Sequence, residues 1–199
     1  MFVIWANKQN AKDAEARKAK FHELGAALTE QLESSSEFNC TNATKFIGVF
    51  QRKNGRTGWE ASAIAVDGKR VAVAKRNSLR VIEAAKLMSV ELVVDGETVS
   101  KMNRADQLVG AVAGAAIAGG SGAIIGGLSA NRTTSRDVTS AHIKLLIDDN
   151  ESVVRVPVIF EPKGHLPEKQ IKARLRKAQD VLDAINARIL LPRNNAVPT

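Results

Sequence analysis

The chain has 199 residues, enough for one domain with additions, and its 44% hydrophobic content excludes wholesale disorder. With 29 Lys+Arg against 21 Asp+Glu, it carries a net charge of +8 and a pI near 9.8, which favours anionic partners of any class. Six Phe, two Trp and no Tyr are too few rings for a single-strand stacking platform, and the lone Cys40 excludes an internal disulfide and a cysteine-rich zinc site.

The opening MFVIWANKQN has five apolar residues followed by polar ones. It lacks the basic start and the apolar run of about 7–15 residues that a secretory signal needs. Together with the single thiol, this predicts a cytoplasmic protein, associated with a membrane through other segments if at all. Residues 8–33 read as a helix capped by Asn7, with Phe21, Leu24, Leu28 and Leu32 as a narrow apolar stripe. Its first half, KQNAKDAEARKAK, is polar or Ala throughout and predicts a solvated projection. LESSSEFNCTNAT then reads as a linker, so residues 1–44 form a helix-and-linker unit.

From Lys45 the apolar period changes to two, and strands are expected. KFIGVF leads through NGRTG into WEASAIAVDGKRVAVAKR, where Ala63, Ala65, Val71 and Val73 flank an Asp67-Gly68 turn. LRVIEAAKLM reads as a strand and one helical turn, and SVELVVDGETVSKM as a second hairpin turning at Asp95-Gly96. SAHIKLLIDDNESVVRVPVIF is a third hairpin, in which Pro157 predicts an edge strand or a bulge. A final helix starts near Pro167, and Ile171, Leu175, Ala178, Leu182, Ile185 and Ile189 form one apolar stripe along it. Lys172, Arg174, Arg176 and Lys177 are assigned to its solvated basic face.

Between the second and third hairpins lies LVGAVAGAAIAGGSGAIIGGLSA, inside an uncharged run of 25 residues from Gln107 to Asn131. Gly110, Gly114, Ala118, Gly122 and Gly126 recur every fourth residue, so a helical segment has a ridge of tiny side chains that permits close helix packing. Its seven large aliphatic residues supply only about −2 to −4 kcal/mol toward insertion, and seven glycines oppose helix formation. A single crossing is therefore marginal. A turn at Gly119-Gly120-Ser121-Gly122 makes two short helices, a hairpin that returns the chain to where it left. Lys101, Arg104, Arg132 and Arg136 flank it with positive charge suited to anionic headgroups. Three readings stay open: a membrane-associated hairpin, an assembly contact between proteins, and a flexible loop.

Several short antiparallel strands, a late glycine-rich segment and one long amphipathic helix form a specific order. IEAAKLMSVELVVDGETVSK, LVGAVAGAAIAGGSGAIIGGLSA and AHIKLLIDDN resemble bacterial and phage pleckstrin-homology-like (PH-like) proteins that carry a glycine-zipper insertion between late strands. The resemblance implies an α+β fold: a bent antiparallel β-sandwich of about seven strands with a C-terminal amphipathic helix, the N-terminal helix and an inserted Gly/Ala-rich helical hairpin being additions. The PH-like domain is expected at 45–190, its insertion at 107–131, and a tail at 191–199.

Catalytic patterns are missing from the sequence. His22, His142 and His165 fall in different elements, and His142 is read as facing water at the start of a strand. No HExxH, GxSxG or P-loop motif occurs, and the carboxylates of DGE and DDNE fit turn tips. The reading is a non-enzymatic protein with no cofactor and no metal. The expected partners are a second copy, an anionic membrane surface or another protein. Nucleic acid is not expected, having only charge behind it. The first functional expectation is a membrane-associated, self-associating protein; the alternative is a soluble interaction or structural module that uses the same segment as an oligomer contact.

Overall fold

The computed structural model describes residues 2–52, 58–103, 138–149, 152–160 and 166–189. Helix α1 (Phe2–Glu33) is followed by strands β1 (Thr44–Arg52), β2 (Gly58–Val66), β3 (Arg70–Lys75) and β4 (Ser78–Glu83). A 3-10 turn (Ala84–Lys86) leads to β5 (Leu87–Val94) and β6 (Glu97–Asn103), then β7 (Ser140–Ile147), β8 (Ser152–Phe160) and helix α2 (Glu168–Ile189). The strands form two antiparallel four-stranded sheets, in the orders β1-β2-β3-β4 and β6-β5-β7-β8. The described residues thus hold eight strands where about seven were expected. The strand containing Pro157 is fully paired with β7, at the sheet edge and beside a bulge, which are positions that tolerate a missing N–H.

Alternation along β2 and β3 sends two different sets of side chains to the two faces of the first sheet. Ile64 and Val66 pair with Val73 and Val71 on the inner face, within the main core. Ala63 and Ala65 pair with Ala74 and Ala72 on the outer face, where Leu28 and Leu32 of α1 cover them. Alanines on that face let a helix approach closely while still burying apolar surface. The α1 stripe is shorter than expected: Phe21 stays 40% exposed, touching the His22 ring edge-on, and packing begins at Leu24. Residues 12–19 are exposed, so the first half projects as expected. Asn7 lies inside the helix rather than at its cap, since no breaker in the preceding residues stops it at position 8.

Helix α2 buries the whole expected stripe from Ile171 to Ile189 against both sheets. One member of its supposed solvated face behaves differently. Arg174 lies over the Phe50 ring, its guanidinium carbon 5.3 Å from the centroid. That ring also folds back over Gly48, where a Cβ would sit 2.6 Å from two Phe50 atoms. Gly48 is thus the space that lets two aromatics share the inner face of β1.

Candidate functional site

The chain leaves the second sheet at the end of β6 and re-enters it at the start of β7. Both strands run antiparallel to β5 and therefore parallel to each other. Asn103 is level with Ser89, while Ala141 is level with Val94, five residues further along β5. At about 3.4 Å per residue and two interstrand spacings, the two ends lie about 20 Å apart. The expected hairpin between these two ends lies outside the described residues.

The re-entry point is tied down by one carboxylate. Asp95 (φ 47°) and Gly96 (φ 88°) make the two-residue turn between β5 and β6, the left-handed pair such a hairpin requires. Asp95 Oδ1 accepts hydrogen bonds from the Thr139 N–H at 3.0 Å and its hydroxyl at 2.9 Å, and from the Ser140 N–H at 2.8 Å. The Asp95 N–H donates to the Ser140 carbonyl at 2.9 Å. Sequence reasoning assigned Asp95 to turn geometry alone. Its second role was not legible, because its partners lie 44 and 45 residues away.

The outer face of this sheet carries a row of charges. Glu91, only 6% exposed on central strand β5, bonds Lys144 of β7 at 3.0 Å and Lys101 of β6 at 3.5 Å. Arg155 of β8 is paired with Lys144 in register and is exposed. His142, one step along the same face, is half-buried rather than facing water freely. Burial pushes its pKa down, and Arg155 and Lys144 push it further, partly opposed by Glu91. Of the residues proposed to flank or form the glycine segment, Lys101 is the one placed, and it holds Glu91. Gly110, Gly114, Ala118, Gly122, Gly126, Arg104, Arg132 and Arg136 lie outside the described residues.

Comparison with family models matches residues 50–161 to the glycine zipper containing PH domain family, more than half of the chain. This chain belongs to that family. The match spans the last three residues of β1, strands β2 to β8 and the whole segment between β6 and β7, and stops short of α1 and α2. Comparisons with curated proteins and with solved structures find no match. The two antiparallel sheets with a helix closing their core are the α+β architecture of a PH-like domain.

A concavity of about 690 Å³ lies between the end of α1, the linker after it and the β2–β3 turn. Glu33, Glu37 and Asp67 line it opposite Lys45 and Arg70, so no one sign of charge prevails. Asp67 is already engaged: its carboxylate accepts from the backbone N–H groups of Lys69, Arg70 and Asn39 at 2.7, 2.6 and 3.2 Å. Burial raises its pKa, but these bonds and the Arg70 charge outweigh it and hold the carboxyl below its ordinary value. A depressed folded pKa contributes stability that is complete above the unfolded value and lost as pH falls through the folded one. Wild type should therefore exceed Asp67→Asn in urea midpoint at pH 6, with the gap closing below about pH 4. A pH-independent gap would mean that Asp67 acts by shape alone. Among the described residues no three His, Cys, Asp or Glu side chains are placed to hold a metal, and no helix is long and apolar enough to cross a membrane.

Proposed function

We propose that this PH-like domain is a non-enzymatic, self-associating module that works at a membrane, with residues 107–131 packing copy against copy. The observation that carries the reading is the family match, which unites the sandwich and the glycine segment in one unit. The ridge Gly110, Gly114, Ala118, Gly122 and Gly126 supports it, since tiny residues every fourth position permit close helix contact. PH-like domains are in general interaction modules rather than catalysts. The weak intrinsic insertion of about −2 to −4 kcal/mol favours entry into lipid as an assembly over entry as a lone helix. Arg104, Arg132 and Arg136, together with Lys101, supply positive charge at both ends of the segment.

The test is Gly114→Leu combined with Gly122→Leu in the full chain, followed by cross-linking and carbonate washing of membranes. Self-association should be lost, while the unfolding free energy of the sandwich stays within about 0.5 kcal/mol of wild type. An unchanged oligomer size sinks the zipper reading. An oligomer that carbonate releases, yet which the double variant dissolves, favours the alternative of a protein–protein assembly contact outside lipid.

A further inference from the structure

The sandwich has two broad outer faces, and they are finished differently. On the first sheet, α1 lies over β1, β2 and β3, burying the alanine-rich face. On the second sheet no described helix is packed over the outer face, because the apolar stripe of α2 joins the inner core. Register places four pairs on the β7–β8 part of this outer face: Ser140 with Phe160, His142 with Pro157, Lys144 with Arg155, and Leu146 with Val153. Phe160 is 41% and Val153 40% exposed, which are large exposures for apolar groups. They lie on either side of the basic pair. Lys101 on β6 adds a third positive charge, against one carboxylate on this face among the described residues, that of nearly buried Glu91.

We propose that this outer face, centred on Lys144 and Arg155 and edged by Val153 and Phe160, is the surface the domain lays on an anionic lipid bilayer. Two arguments choose this occupant. One is charge: three bases against one shielded acid match lipid phosphates, and flanking apolar side chains reach the level just below the headgroups. The other is placement. The described ends of the connection that holds the glycine segment adjoin this same sheet: Asn103 ends β6, and Val138 lies two residues before β7. This part rests on the membrane reading above: if residues 107–131 enter lipid, this sheet is the part of the sandwich held closest to it. The charge argument does not depend on that reading.

The experiment uses the full chain and vesicles of phosphatidylcholine with and without phosphatidylglycerol. Arg155→Glu alters an exposed side chain and spares the Glu91 pairs; Lys177→Glu, on the exposed side of α2, makes the same change in net charge elsewhere. Arg155→Glu should weaken binding to the anionic vesicles about tenfold or more, and Lys177→Glu about twofold or less. A polarity-sensitive dye attached to Val153→Cys, in a Cys40→Ser background, should shift to the blue on anionic vesicles only. The His142 ring provides a third readout. Its pKa is held down by burial, Arg155 and Lys144, so lipid phosphates drawn against those bases should raise it. Equal losses for the two charge reversals, with no dye shift, would overturn the assignment of this face and leave the membrane reading standing. Wild type that binds neither vesicle overturns both, and if it binds duplex DNA through Arg155 instead, the basic face is a nucleic-acid surface.

Discussion

Leu182→Ala is expected to lower stability by about 2–5 kcal/mol, the range for emptying a buried leucine site. Leu182 has no exposed surface and sits mid-stripe on α2, within the core shared by both sheets. Its neighbours on the stripe, Ala178 and Ile185, are equally buried, and strands press from the other side, so little can collapse into the space. Arg176→Ala, on the exposed side of the same helix, should change stability by less than about 0.5 kcal/mol. Urea unfolding followed by circular dichroism separates the two. A cost below about 1 kcal/mol for Leu182→Ala would mean that α2 is docked loosely and that the sheets are close to self-sufficient.

Asp95→Ala should cost about 2–4 kcal/mol for two reasons that add. The first is the loss of the acceptor for the N–H and hydroxyl groups of Thr139 and Ser140, all of them partly buried. The second is backbone strain, since alanine tolerates φ 47° less well than Asp or Asn. Asp95→Asn keeps a side-chain oxygen and the left-handed preference, and should lose about half as much. Hydrogen exchange at the Thr139 and Ser140 amides provides the local check. If those amides stay protected in Asp95→Ala, the carboxylate is not what pins the return of the chain into β7. If protection is lost there while β2 and β3 stay protected, the glycine segment has lost one of its two fixed ends without loss of the sandwich. Such a variant would show whether assembly needs the segment held at both ends.

Much of the fold was legible because its signals are local. The Asp95-Gly96 turn was readable from residue type, since few other pairs adopt the left-handed backbone such a hairpin needs, and the Asp67 turn from a side chain that bonds the backbone N–H groups two and three residues on. The α2 stripe was readable from its period, and Pro157 from its missing N–H, which left an edge or a bulge and turned out to have both. The extent of α1 packing was not legible. Phe21 fits the helical spacing as well as Leu24 does, but sheet lies beneath the helix only from Leu24 onward. Arg174 shares a polar face in sequence with Arg176, yet finds an aromatic ring to cover.

By itself the sequence determined the element types, the turns, the inner stripe of α2 and the small-residue ridge between the late strands. Each of these rests on bonding or sterics within a few residues along the chain. It also carried the family likeness, because that likeness is an order of such local signals. Only the tertiary structure decided which strands are neighbours, and with that three things followed. Glu91 became the buried partner of two lysines from separate strands. Asp95 became the clamp on a segment 44 residues away. The two described strands that bracket the glycine segment came to lie on either side of β5 in one sheet, five residues apart in register along it. Strand order is set by burial of apolar faces summed over the whole domain, a quantity that no single stretch of sequence contains.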